Sequence, residues 1–251
     1  MADLLLELRV PGARDAAVRM AWTPPRGPAR GWAWLQHGFA RRGHHLAGLA
    51  GALAQRGIAV VRPDLGSWTP WHSLHDPTFL TSVALTIATS VERGIPQDRG
   101  IDVAGPWVAM GHSAGAAVAC HVSGVLAGRP GGQVGAPAGL ILLDPVDSVG
   151  RLLASSLPSI AGLPMTVLAC PPSRCNRHGE TVDRLQARAE VIALPGLSHA
   201  DPERIPASLR PADVPPASRA ALWACGPAGS AAAVVDLGER AVAAAAGLLV
   251  P

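Results

Sequence analysis

The stretch Gly111-His112-Ser113-Ala114-Gly115 constrains this chain more than any other. It follows the apolar run Trp107-Val108-Ala109-Met110 and precedes the small-residue run Ala116-Ala117-Val118-Ala119-Cys120. The order is strand, sharp turn, helix, with a serine at the bend. A serine held there adopts a strained backbone and tolerates only small neighbours, so glycines at 111 and 115 let strand and helix approach each other. Glycine-rich chains produce this pentapeptide by chance, and this one has 28 glycines in 251 residues. The strand before it and the helix after it are what give it weight.

Around that turn, strand-like and helix-like segments alternate along the chain. Segments 4–10 and 16–22 read as an antiparallel pair turned at Pro11-Gly12. Segments 31–36, 58–62, 107–110, 139–143, 165–169 and 191–194 read as further strands, and 44–55, 78–91, 114–126 and 228–249 as helices. This alternation predicts an α/β fold with a mostly parallel central sheet, helices on both faces, and a single domain over residues 1–251. With 49% hydrophobic residues the chain can bury one substantial core.

Charge narrows the possible partners. Only 16% of residues are charged, the net charge is +3, and all 21 basic residues are arginine. Arg41-Arg42 is the one adjacent basic pair, and no basic stripe is present, so nucleic-acid binding is not expected. No uncharged apolar stretch is long enough for a transmembrane segment. The opening Met1-Ala2-Asp3-Leu4-Leu5-Leu6-Glu7 has acids where a secretory leader carries bases. The sequence therefore reads as cytoplasmic, or as secreted if a leader has been trimmed. The four cysteines lack zinc-ligand spacing, and no metal or cofactor is expected. Cys175 and Cys225 lie in Pro- and Gly-rich sequence and are candidates for a disulfide.

A serine hydroxyl needs a base to take its proton, a group to orient that base, and donors for the oxyanion that forms. Ser113 is the candidate nucleophile. Among nine histidines, His199 alone follows a final strand segment, in Leu194-Pro195-Gly196-Leu197-Ser198-His199, and it is the candidate base. Asp144 ends the strand Gly139–Leu143, from which a carboxylate can reach that histidine. It is the first choice for the acid, ahead of Asp147 and then Glu180 or Asp183. An Asp-Pro pair also starts turns, so Asp144 has a purely structural reading as well. The oxyanion donors are expected to be the backbone N–H groups of Ala114, directly after the serine, and Phe39, in the loop Gln36-His37-Gly38-Phe39.

Together, His37-Gly38-Phe39, the 111–115 turn, Leu143-Asp144-Pro145-Val146-Asp147 and Ser198-His199-Ala200-Asp201 resemble the α/β-hydrolase superfamily. Within it they are similar to the branch of chlorophyllases and platelet-activating-factor acetylhydrolases. The resemblance covers residues 31–199. It implies a serine hydrolase acting on a small-molecule carboxylic ester, and an acid that follows the strand after the 114–126 helix, hence Asp144. Ala114 is smaller than the residue chlorophyllases usually carry after the serine, which weakens the case for porphyrin esters. An acyltransferase or thioesterase with the same residues, and a silent binding scaffold, are the alternatives. Trp68 and Trp71, after the fourth strand, are expected to form an apolar wall for the substrate, and residues 147–163 a short cap over the pocket.

Overall fold

A computed structural model of the chain describes residues 3–11, 17–69, 72–103, 105–147 and 150–250. Among these described residues eight strands form one sheet: β1 (Leu4–Arg9), β2 (Ala17–Thr23), β3 (Gly31–Gln36), β4 (Ile58–Asp64), β5 (Trp107–His112), β6 (Leu140–Leu143), β7 (Met165–Ala169) and β8 (Glu190–Ala193). Their spatial order is β1-β2-β4-β3-β5-β6-β7-β8. Only β2 runs against its neighbours, pairing antiparallel with both β1 and β4, and every later pairing is parallel. The crossovers carry α1 (Ala47–Ala54), α2 (Pro77–Glu92), α3 (Ala114–Ala127), α4 (Leu152–Ser156) and α5 (Glu180–Leu185). The final segment holds α6 (Arg219–Cys225) and α7 (Ala231–Leu248).

The central strands are apolar without interruption because both of their faces are covered. On β3, Trp32 and Trp34 face one core while Ala33 and Leu35 face the other. Trp107 and Ala109 of β5 alternate with Val108 and Met110 in the same way, as do Leu140 and Leu142 of β6 with Ile141 and Leu143. One core lies beneath α2, α3 and α4, the other beneath α1 and α7. Three tryptophans fill the first core near its edge, with Trp32 stacked on Trp107 at 5.0 Å and tilted against Trp22 at 6.1 Å.

Helix ends follow ordinary capping chemistry. Asp76 accepts from the Thr78 and Phe79 amides to start α2, and Ser230 accepts from Ala233 to start α7. The predicted helix at 44–55 divides into a 3-10 turn, Gly43–Leu46, followed by α1. Three short helices, α4, α5 and α6, stand where sequence periodicity signals none. Among the described residues no helix is long and apolar enough to cross a membrane.

The chain beyond β8 returns across α1. A Cβ on Gly48 would land on the Ile205 carbonyl oxygen, and one on Gly51 would sit 2.6 Å from the Ala207 methyl. Gly48→Ala is expected to force this segment off α1. The expected loss is about 2 kcal/mol or more of unfolding free energy in urea titration, with far less change for substitution at Gly94, whose surroundings are open.

Candidate active site

The site begins at the strand-to-helix turn. Ser113 has φ 57° and ψ −127°, a backbone state L-residues rarely adopt, and it directly precedes α3. Packing around it enforces that state. A Cβ on Gly111 would overlap the Gly115 carbonyl, and a Cβ on Gly115 would strike the carbonyl oxygens of His37 and Gln36. The bend is also pinned by main-chain bonds. The Ser113 N–H donates to Leu143 O at 3.0 Å, and Ser113 O accepts from the Val146 N–H at 3.1 Å. The nucleophile candidate is thereby bonded to the end of β6, where Asp144 stands.

Asp144 is fully buried, and its backbone lies in the left-handed region with φ 43°. A carboxylate in that position must collect donors. Cys170 N–H donates to Oδ1 at 3.1 Å, and the Asn176 side-chain amide donates to Oδ2 at 3.1 Å. The His199 imidazole Nδ1 lies 2.6 Å from Oδ2. Because the carboxylate accepts, Nδ1 carries the proton, which leaves Nε2 of the neutral ring as an acceptor. The Ser113 hydroxyl is 2.9 Å from that Nε2. Ser113, His199 and Asp144 therefore form one continuous hydrogen-bonded line.

The loop bearing His199 is held by Asp201, a residue to which sequence reading gave no role. Its buried carboxylate accepts from the N–H groups of Ser198 at 2.7 Å and Gly229 at 2.8 Å, and from Arg204 Nη1 at 2.6 Å. One acid thus ties the histidine turn to the residue preceding the α7 cap. Asn176 is the other unanticipated member. It stands in the loop after β7, where the sequence has no aspartate, and presents an amide to Asp144. Nothing local in the sequence distinguishes either residue from an ordinary loop polar group.

The other acid candidates are engaged elsewhere. Asp147 accepts from the Leu153 and Ala154 amides at 3.0 and 3.1 Å, capping α4. Glu180 pairs with Arg184 on the surface, and Asp183 accepts from Gln186.

His112 packs against the base. Its Nε2–H donates to the His199 carbonyl at 2.8 Å, the two rings are 4.9 Å apart, and its buried Nδ1 has no hydrogen-bond partner. Burial first, and the proximity of His199 second, push its pKa down to about 4 from 6.5. Beside it, Glu203 pairs with Arg41 at 2.7 Å.

A cavity of about 390 Å³ opens over Ser113 and His199, bordered by Phe39, Ala200, Ala221, Trp223 and the Cys175–Cys225 disulfide. Cys175 and Cys225 are therefore joined, and Cys225 ends α6 rather than lying in a loop. Phe39 follows Gly38, whose hydrogens face the Ser113 Cβ. Ala114 opens α3, where the first amides have no intrahelical acceptor. Trp68 lies edge-on to Phe39 at 4.9 Å and is largely exposed, and Phe39, rather than Trp68, borders the cavity. Trp71 lies outside the described residues. The expected cap at 147–163 is not found over the cavity. Its apolar residues Leu152, Leu153 and Ile160 are buried in the core shared with α3, and α6 borders the cavity instead. Among the described residues, no group of three or more His, Cys, Asp or Glu is arranged to hold a metal ion.

No protein-family model matches this sequence, and no curated protein matches it. Solved structures match it in three dimensions. A thermostable esterase from Pseudomonas putida superposes with a TM-score of 0.67 over 99% of this chain and 83% of its own, at 15% identity. The esterase domain of a Rhodothermus marinus protein gives 0.60 over 98% and 99%, at 12% identity. The fold is the α/β-hydrolase fold. Dienelactone hydrolase from Anabaena variabilis shares it, with a TM-score of 0.57 over 79% of this chain and 88% of its own, at 16% identity.

The depressed pKa of His112 has a consequence for stability. The unfolded chain takes up its proton below pH 6.5, whereas the folded chain resists until about 4. His112 thus contributes stability that is complete above the higher value and is lost as pH falls through this window, about 3 kcal/mol in all. His112→Gln should flatten the acid side of a urea-midpoint-versus-pH curve. An unaltered slope would count against the assignment. His37, lowered chiefly by burial, leaves a residual slope of the same sign.

Proposed function

We propose that this chain is a serine hydrolase that cleaves carboxylic esters of apolar acyl or aromatic substrates, working as a single α/β-hydrolase domain without a cofactor. The observation that carries the reading is the His199 ring, 2.9 Å from the Ser113 hydroxyl on one side and 2.6 Å from the Asp144 carboxylate on the other. Neither partner alone suffices. A serine beside a histidine lacks control of the tautomer, and a histidine beside an acid has no nucleophile to deprotonate.

In the proposed reaction Ser113 Oγ attacks the ester carbonyl while His199 Nε2 takes the hydroxyl proton. The Asp144 carboxylate holds Nδ1–H and offsets the positive charge that develops on the ring. The amides of Phe39 and Ala114 donate to the carbonyl oxygen as it gains charge. Collapse expels the alcohol, which takes the proton from Nε2 and leaves an acyl-serine. Water, deprotonated by the same nitrogen, then releases the acid and regenerates Ser113. Neutral His112 suits this cycle, because a second positive ring beside His199 would oppose formation of the imidazolium.

The position of the acid supports the finer likeness to the branch of chlorophyllases and platelet-activating-factor acetylhydrolases. There the acid follows the strand after the elbow helix, as Asp144 follows β6 here, while the loop after β7 contributes an amide. The apolar border of the cavity supports an uncharged ester, because its one nearby arginine, Arg41, is already paired with Glu203.

The deciding experiment is hydrolysis of p-nitrophenyl esters by wild type and Ser113→Ala. Wild type should show an initial burst, and the variant should lose at least about 10³-fold in kcat. Retained turnover in Ser113→Ala would refute the reading. The acid is tested separately: Asp144→Asn should cost about 10⁴-fold in kcat. Asp147→Asn should alter stability more than rate, and the reverse ranking would transfer the role.

A further inference from the structure

A weakly buried helix, α6, borders the cavity over Ser113 and His199. Helix α6 has seven residues, too few for a helix to persist unaided in water. Ser218 caps it, accepting from Ala221 N–H at 3.1 Å, but Ala221 is the only one of its residues that is buried. Ordering seven residues costs about 1 to 2 kcal/mol each in backbone entropy, and one alanine methyl recovers little of it. What fixes α6 is its last residue, Cys225, bonded to Cys175 in the loop after β7.

That attachment is specific in what it joins. Cys175 immediately precedes Asn176, the residue whose amide holds Asp144, and both cysteines border the cavity above Ser113 and His199. On the same helix Trp223 borders the cavity yet is 90% exposed, the most exposed large apolar side chain among the described residues. An indole this large, held in solvent beside an open cleft, lacks a packing partner within the fold. Around it the border is mostly alanine, the disulfide and Phe39; its polar members beyond Ser113 and His199 are His112 and the mutually paired Arg41 and Glu203.

From this arrangement we infer that α6 is a disulfide-tethered wall of the substrate site, and that Trp223 on it determines specificity by covering the apolar group of the bound ester. The inference rests on the ester-hydrolase reading and adds to it the residue that selects for apolar bulk. Tethering at one end lets the helix adjust to groups of different length, while the bond to Cys175 keeps it registered with the loop that braces Asp144. Trp223 thus makes a wall on the cavity itself, whereas Trp68 meets Phe39 edge-on and is not part of the cavity border.

The test compares kcat/KM for p-nitrophenyl octanoate and p-nitrophenyl acetate in wild type, Trp223→Ala and Cys225→Ser. The octanoate-to-acetate ratio should fall roughly tenfold or more in Trp223→Ala, carried mainly by KM, because the indole's contact with the longer chain is lost. Cys225→Ser should lower the same ratio by releasing the wall. A ratio that stays constant in both variants overturns the inference, even when total activity changes. To separate this from failure of the hydrolase reading, methyl octanoate is titrated into Ser113→Ala with and without Trp223→Phe, following tryptophan fluorescence. A saturable change that disappears with Trp223→Phe supports the wall even if wild type hydrolyses nothing. An identical response in both proteins refutes it.

Discussion

A single buried carboxylate organises the strand-end face of this molecule where the candidate site lies. Asp144 has no access to water, so its charge must be met by donors drawn from elsewhere in the chain. It takes one from the end of β7, one from the loop beyond it and one from the turn after β8. Two of these donors come from the connection after β7 and the third from the connection after β8, so both connections are drawn toward the end of β6. The Cys170 thiol adds a further link between the same two connections, donating to the Ser198 carbonyl at 3.3 Å. With the carboxylate in place, the imidazole has one orientation and one tautomer.

Close packing at the elbow is the second constraint. The turn at Ser113 exists because β5 and α3 approach until the main chains of residues 111 and 115 nearly touch, with the carbonyls of Gln36 and His37 pressed against the helix start. The same approach places the loop after β3 over the serine, where Phe39 and Ala114 have their amides. The strained backbone at Ser113 and the closeness of the loop after β3 thus arise from one feature of packing. The cost of the strained φ at Ser113 is offset by two main-chain bonds to residues around the end of β6.

Much of the architecture was legible in the sequence because the parallel strands must be apolar on both faces. The runs at 31–36, 107–110 and 139–143 have no other reasonable place than mid-sheet, and their alternation with helices sets the layers. Strand ends are where such a sheet gathers reactive groups, which is why residues 113, 144 and 199 stood out. Short helices escaped notice for a physical reason: α4, α5 and α6 span only five to seven residues and depend on capping or cross-linking, not periodicity. The cap was misplaced because the leucines at 152 and 153 fit packing beneath a helix as readily as roofing a pocket. Asn176 and Asp201 were invisible because a polar loop residue acquires meaning only when folding brings its partner near. The disulfide stayed open for the same reason, since its two halves lie 50 residues apart.

Ser113 and Asp144 sit at the tips of adjacent strands, and His112 pairs with Leu143 in the ladder between them. Any twisting or breathing of the sheet carries both tips along together, so their separation is insulated from changes in the surrounding loops. The imidazole reaches these tips from β8 at the far edge of the sheet, on a short turn held by Asp201 and His112. The two tips therefore form a stationary frame, and the register of the ring within it is set by the few bonds that hold the 198–199 turn.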